Sequence, residues 1–214
     1  MPADSQILLL IFQKNKNKIM FIVLEGLDGS GITTQSMLLE KNISSMLMPT
    51  VLTKEPTSST VGKLIRKHLK RPQKEIDNKG LQLLFAADRQ MHIKSFIEPN
   101  LKERNIVISD RYFFSSIAFG ARNNDEFKWL SNLYKDCLQP DIVFLFKMPP
   151  KVCIKRIHKR GESQELFETE DKLRMVWKNY KKLARKYNYF YILDGDRSIE
   201  SVGQEIYEKM LELL

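Results

Sequence analysis

Short apolar runs alternate along this chain with longer segments in which apolar and polar positions follow a helical spacing. Five of the runs are rich in Ile, Val and Phe, which is typical of strands buried on both faces of a sheet. These strands are predicted over residues 19–24, 50–53, 106–109, 141–146 and 189–193.

The segments between the runs predict the helices. They cover residues 33–47, 61–69, 81–97, 116–138 in two pieces, 150–159, 167–187 and 198–214. Pro99 is expected to end the third of these helices, because proline cannot continue a hydrogen-bonded turn. Strands that alternate with helices predict a three-layer α/β/α domain with a five-stranded parallel sheet. The single domain is expected to span residues 19–214, and residues 1–18 are interpreted as an N-terminal extension.

Composition narrows the class of protein. The chain has 214 residues and a formal charge of +9. Aromatic residues make up 10% of it and apolar runs recur along its length, which excludes intrinsic disorder. Its apolar runs are far shorter than the roughly 20 residues of a membrane span, which excludes a membrane-spanning helix. Two cysteines are too few for a disulfide scaffold, which predicts reduced thiols and a cytoplasmic location. The excess of positive charge leaves nucleic acid, a membrane surface or small phosphorylated substrates open.

A glycine-rich segment follows the first strand. Gly26 and Gly31 have the spacing of a phosphate-binding loop between a strand and a helix, and Thr33 stands where a hydroxyl would hold Mg²⁺. Glycines let successive N–H groups point at phosphate oxygens, and the following helix adds its positive end. The structural alternative is a glycine-rich turn that binds nothing.

The lysine of that motif is absent, because position 32 is Ile. Loss of a cation at the transferred group costs about 3 kcal/mol, or ~10²-fold in rate, by analogy with other transition-state donors. Lys54, or the basic helix at residues 151–160, could supply another cation, and the sequence leaves both open.

Further segments occur in a recognisable order along the chain. They are residues 25–35 (EGLDGSGITTQ), 53–57 (TKEPT), 61–66 (VGKLIR), 84–89 (LFAADR), 110–119 (DRYFFSSIAF), 140–141 (PD) and 156–160 (RIHKR). Together they resemble thymidylate kinases, and 61–66 resembles their archaeal members. The resemblance covers nearly all of the chain from residue 19, and it implies a P-loop kinase fold with a small lid at about residues 156–167.

The resemblance implies that the cofactors are ATP and Mg²⁺ and that the phosphoryl acceptor is dTMP. It assigns Thr33 and Asp110 to the metal. The residues that it assigns to ATP are Gly26, Leu27, Asp28, Gly29, Ser30, Gly31, Ile32, Thr33 and Thr34.

The acceptor site follows from the same resemblance. Phe85 would stack on thymine, Arg89 one turn later would reach the base or the monophosphate, and Arg111 would clamp the acceptor phosphate. The other residues implied are Asp28 facing the 3′-hydroxyl, Glu55 in the sugar and metal region, Ser116 at the base edge and Phe119 near the 2′ side of the sugar. Structural alternatives exist for three of these features: a core role for Phe85, a helix cap at residues 110–111 and a helix start at residues 115–116.

Catalysis is expected from Arg111 and Asp28 together with Arg156 and Arg160 of the lid, which share one helical face. The structural alternative for the two lid arginines is a solvated helix end. The chain departs from the family pattern at Ile32, at Phe119 in place of Tyr, at Gly120 in place of Gln and at Lys147 in place of Asp.

The predicted function is therefore ATP-dependent phosphorylation of dTMP to dTDP. The alternatives are a kinase for another nucleoside monophosphate or a nucleoside, and a catalytically weak nucleotide-binding protein. The resemblance implies a homodimer. Nucleic acid is not expected as a partner, since no basic run is interleaved with aromatic residues. A membrane is not expected as a partner either.

Overall fold

The computed structural model describes residues 19–73, 75–159 and 169–214, and its centre is a parallel sheet of five strands. The strands are β1 (Phe21–Gly26), β2 (Thr50–Lys54), β3 (Ile106–Asp110), β4 (Ile142–Lys147) and β5 (Phe190–Asp194). Their order across the sheet is β2-β3-β1-β4-β5. This confirms the predicted sheet, and every strand lies within two residues of its predicted bounds.

Helices cover both faces of the sheet. They are α1 (Ile32–Ser44), α2 (Thr60–Lys70), α3 (Asn78–His92), α4 (Glu98–Lys102), α5 (Phe113–Gly120), α6 (Asn124–Leu133), α7 (Pro150–Lys159), α8 (Glu170–Lys186) and α9 (Ile199–Leu213). The two predicted pieces at 116–138 are α5 and α6. The predicted start of α8 at residue 167 lies outside the described residues.

One helical prediction was wrong, because Pro99 does not end the third helix. A π-helical turn at Ile93–Ile97 joins α3 directly to α4. Pro99 lies in the first turn of α4, directly after the π-helical turn, and the helix continues through it.

The core consists of two apolar clusters, one on each face of the sheet. Phe21 and Val23 of β1 belong to one cluster, while Ile22 and Leu24 belong to the other. Because successive side chains of a strand point to opposite faces, a strand covered on both sides must be apolar at every position. This explains the unbroken apolar run from which the strand was predicted.

The predicted N-terminal extension and most of the predicted lid, including Arg160, lie outside the described residues. Within the described ranges, the structure has no helix that is both long and apolar enough to cross a membrane.

Candidate active site

The carboxyl ends of three neighbouring strands bring the candidate residues together. Leu24 of β1 and Lys54 of β2 are both in register with Asp110 of β3, so the residues that follow these strands meet at one edge of the sheet. Open α/β sheets bind ligands at this edge.

The glycine-rich segment has the geometry of an anion-binding loop. Gly29 and Gly31 have positive φ angles of 80° and 95°, a left-handed conformation that glycine adopts without strain. The N–H of Ser30 donates to the carbonyl of Leu27 at 3.1 Å, and α1 begins directly after Gly31. A Cβ at Gly29 would lie 2.6 Å from the carbonyl oxygen of Cys153, so α7 packs tightly on this loop.

Thr33, Asp110 and Lys54 form a compact polar cluster beneath the loop. The hydroxyl of Thr33 donates to Asp110 Oδ2 at 2.6 Å, and Lys54 Nζ lies 3.0 Å from the same oxygen. Mg²⁺ prefers hard oxygen ligands and is usually held by one or two carboxylates together with substrate phosphates. The hydroxyl and the buried carboxylate therefore fit a magnesium ion. No group of three or more His, Cys, Asp or Glu side chains suited to a metal occurs among the residues described.

Arg111 connects the phosphate loop to α5. Its guanidinium donates to the carbonyl of Gly26 at 3.0 Å, to Ser115 Oγ at 2.9 Å and to Asp28 Oδ1 at 2.6 Å. It also lies over the Phe119 ring, 5.1 Å from the ring centroid. The φ of Arg111 is 74°, and a non-glycine residue held in the left-handed region is a strained position of the kind that clusters at functional sites. Burial alone would lower the pKa of Arg111, but Asp28, with Tyr180 and Glu25, raises it, so the guanidinium is permanently charged.

Glu25, which the sequence analysis did not single out, anchors this arrangement. It is fully buried, and its carboxylate accepts from the backbone N–H of Tyr112 at 2.8 Å and from the hydroxyls of Ser115 at 2.6 Å and Tyr180 at 2.7 Å. Burial raises its pKa above the ordinary value of 4.5, against the opposing effect of Arg111. A glutamate at the end of an otherwise apolar strand was the available signal, because a buried acid needs partners.

Glu55 and Arg89 form a buried ion pair between β2 and α3. Arg89 Nη2 lies 2.6 Å from Glu55 Oε2, and His92 Nδ1 lies 3.0 Å from Glu55 Oε1. Nη1 of Arg89 is buried and makes no hydrogen bond to any of the described residues. The guanidinium lies 4.7 Å from the centroid of the Tyr134 ring. The two N–H groups of Arg89 Nη1 are thus left for a ligand.

Asp88 fixes the turn that follows β2. Its carboxylate accepts from the N–H of Thr57 at 2.7 Å, from the Thr57 hydroxyl at 2.5 Å and from the Ser59 hydroxyl at 2.6 Å. These contacts hold the segment after Glu55 against α3. Sequence reasoning identified Asp88 only as part of a motif.

The remaining acceptor candidates lie on the facing helices α3 and α5. Phe85 is half-buried and belongs to neither core cluster of the described chain, which favours a binding role over a core role. Ser116 and Phe119 of α5 are buried at 3% and 8% exposure. A Cβ at Gly120 would lie 2.6 Å from the side-chain amide of Gln82, so this buried glutamine occupies the space that a side chain at position 120 would need.

A cavity of about 390 Å³ opens on the other side of the phosphate loop. Thr34 and Gln35 of α1 line it together with Arg156 and Arg197. Arg156 lies 3.6 Å from Asp196 Oδ1, and Arg197 donates to Ser201 and forms an ion pair with Glu205. Sequence reasoning missed Arg197, which is isolated and lies in no recognisable motif.

The structure therefore gathers most of the predicted residues around one loop. Asp28, Thr33, Asp110 and Arg111 line a small cavity of about 110 Å³ beside it, and Arg156 lines the larger one. Arg89 and Glu55 pair with each other at the adjoining end of α3.

Comparison with known proteins gives a consistent result along the chain. A family model described as "Thymidylate kinase" matches residues 24–206. A "Probable thymidylate kinase" of Methanocaldococcus jannaschii is 42% identical over 187 residues, which cover 87% of this chain and 93% of the relative. A protein of the same name from Thermococcus kodakarensis is 40% identical over 197 residues, covering 87% and 95%. Another from Methanosarcina barkeri is 35% identical over 201 residues, covering 90% and 96%.

Proposed function

The chain belongs to the thymidylate kinase family, and from that premise we propose that its residues transfer the γ-phosphoryl group of ATP to dTMP, giving ADP and dTDP. The observation that carries the proposal is the contact between Arg111 and Asp28. It joins the phosphate loop, where the donor would bind, to helix α5, where the acceptor would bind. Both halves of a phosphotransferase site therefore meet at one guanidinium.

On the donor side, the backbone N–H groups of the loop at residues 26–31 and the positive end of α1 bind the ATP phosphates. Thr33 and Asp110 hold Mg²⁺, which neutralises charge on the phosphates when it is bound. The rest of the nucleotide occupies the larger cavity, with Arg156 and Arg197 at its wall. A cavity of this size, lined by both apolar and polar side chains, suits a nucleoside.

On the acceptor side, Phe85 stacks on thymine and the unpartnered Nη1 of Arg89 donates to a carbonyl of the base. Ser116 contacts the base edge, while Phe119 excludes a 2′-hydroxyl by its bulk. Glu55 acts through Arg89 by fixing the orientation of the guanidinium. Arg111 binds the monophosphate, and Asp28 faces the sugar.

In the transfer step, an oxygen of the dTMP phosphate forms a bond to the γ-phosphorus while the bond from that phosphorus to the β,γ-bridging oxygen breaks. Negative charge spreads over the three equatorial oxygens, and cations held near them lower the barrier. Arg111 and Arg156 lie at the two sides of the loop. Arg160, in the lid, is proposed to add a further cation.

A panel of nucleoside monophosphates tests the function. The purified chain is incubated with ATP and Mg²⁺ and with dTMP, dUMP, dCMP, dAMP, dGMP or UMP, and ADP release is followed. We expect dTMP to have the highest kcat/KM. Preference for another acceptor, or binding of ATP without turnover of any acceptor, would contradict the proposal. Arg111→Met should abolish turnover, whereas Arg122→Met, a control on the exposed start of α6, should not.

We also propose that the protein works as a cytoplasmic homodimer with a lid at residues 156–167. Free thiols at Cys137 and Cys153 support a reducing compartment. Leu83 and Met91 of α3, each 49% exposed, support an intersubunit contact on that helix. Light scattering of the purified chain and of the Leu83→Glu variant tests the dimer, which the charged side chain should weaken.

A further inference from the structure

The phosphate loop carries no cation at the position where its motif has one. Ile32 is 4% exposed and packs into the apolar cluster on its face of the sheet. Charge for the transferred group must therefore come from outside the loop.

The fold places the side chain of Lys54 next to the phosphate loop. It is the last residue of β2, and the register of β2 against β3 sets it beside Asp110. Its Nζ lies 3.1 Å from Thr33 Oγ1 and 3.0 Å from Asp110 Oδ2. Lys54 lines the same small cavity as the loop, including Ile32.

The other cations that the structure describes near the loop are held by contacts of their own. Arg111 lines the small cavity too, but its guanidinium is fixed by Gly26, Ser115 and Asp28 on the acceptor side. Arg156 lies at the wall of the larger cavity, next to Asp196. The Lys54 side chain is 55% exposed, so its ammonium can turn toward a ligand, and Asp110 Oδ2 then keeps its hydrogen bond from Thr33.

We propose that Lys54 is the catalytic cation that replaces the absent loop lysine and contacts the transferred phosphoryl group. This inference rests on the proposed function. The ammonium neutralises charge on the non-bridging oxygens while the phosphorus passes between the two phosphates, and no proton has to move. Lysine suits the task because it acts as a compact point charge on a flexible stem.

The first experiment removes the charge of Lys54 but keeps a side chain of similar length. We expect Lys54→Met to lower kcat about 10²-fold, as loss of one transition-state donor does, and Lys54→Arg to retain most of the activity. Binding of ATP in EDTA, followed by calorimetry, should weaken about tenfold in Lys54→Met, since a charge-assisted hydrogen bond is lost. The control is Lys41→Met, in the last turn of α1 and remote from the loop, which should leave both quantities unchanged.

The second experiment places a positive charge at position 32 of the loop. We expect Ile32→Lys to raise kcat of the wild-type chain and to restore kcat of Lys54→Met by about tenfold, because the new stem can extend to the same phosphates. Thermal unfolding of Lys54→Met should stay close to wild type, because Lys54 is 55% exposed and the buried Asp110 keeps its hydrogen bond from Thr33.

These outcomes separate the two proposals. If the wild-type chain phosphorylates dTMP and Lys54→Met retains its kcat, the Lys54 inference fails alone. It also fails if Lys54→Met is inactive, unfolds at lower temperature and is not improved by Ile32→Lys, since Lys54 would then only support Asp110. If the wild-type chain turns over no acceptor, the proposed function fails. The titration with ATP in EDTA then still tests whether Lys54 binds phosphate.

Discussion

The buried pair of Glu55 and Arg89 allows a prediction in which stability and substrate binding change in different ways. Arg89→Met keeps an unbranched side chain in the same space but leaves the Glu55 carboxylate buried without its guanidinium. Breaking a buried ion pair from one side costs about 3–5 kcal/mol. Both side chains are at most 3% exposed, so solvent does not screen the pair. Loss of the contact with the Tyr134 ring adds about 0.5–2 kcal/mol.

Glu55→Gln should destabilise the chain by a similar amount, because it leaves the Arg89 charge buried. The double variant should be less destabilised than the sum of the two single variants, with a coupling of at least about 2 kcal/mol, since neither unpaired charge remains. Substrate binding should behave otherwise. The KM for dTMP should rise at least about tenfold in both variants that lack Arg89, because the free Nη1 donor is gone in each.

Urea unfolding gives the free energies, and steady-state kinetics at saturating ATP give the KM for dTMP. The matched control is the cycle of Arg122→Met and Glu126→Gln, an exposed pair at 2.6 Å for which we expect about 0–1 kcal/mol and no kinetic change. Additive losses in the Glu55 and Arg89 cycle would refute the buried-pair energetics. An unchanged KM for dTMP in Arg89→Met would refute the ligand role of Nη1.

Three other substitutions test separate parts of the site. Phe85→Ala should raise the KM for dTMP about tenfold, because a stacking contact with the base is lost. The free energy of unfolding in urea should change little, because Phe85 packs on neither core cluster. A large loss of stability with an unchanged KM would show a core role. Arg156→Ala should lower kcat more than it raises the KM for dTMP, and the reverse pattern would argue against a transition-state role. Glu25→Gln should change how stability depends on pH. Because burial raises the pKa of folded Glu25, the wild-type free energy of unfolding should fall as pH rises from 4.5 through the folded pKa, by up to about 1.4 kcal/mol per unit of pKa difference. Urea unfolding between pH 4.5 and 8 should show this fall in the wild type and lose it in Glu25→Gln, and parallel curves would contradict the reasoning.

The strands could be predicted because their signal is local. A strand covered on both faces is mostly apolar, so β1 and β4 appear in the sequence as apolar runs that are broken only near their ends, by Glu25 and Lys147. The prediction at Pro99 was wrong because it considered the proline alone and not the conformation of the preceding turn. The helix continues through Pro99 after a π-helical turn, and nothing in the local pattern indicates that turn.

The motifs identified many residues of the site, but they did not predict which of these residues contact each other. Arg111 and Asp28 were both identified, but their contact depends on β3 lying next to β1, and chain order does not set which strands are neighbours. Glu25 was missed because its partners come from α5 and α8, far along the chain. Gln82 was missed for a similar reason, since its place against α5 depends on the absent side chain of Gly120.

The positive charges around the candidate site are paired with acids. Among the described residues, the cations of the candidate site each have an acid beside them, as the pairs Arg111–Asp28, Arg89–Glu55, Lys54–Asp110 and Arg156–Asp196 show. Pairing reduces the repulsion between cations that are crowded around one loop, and it fixes their side chains before a ligand binds. The site is therefore much closer to neutral than the net charge of +9 suggests. Phosphate binding then depends on exchange of partners at particular atoms, such as Lys54 Nζ, rather than on the overall field of a basic protein.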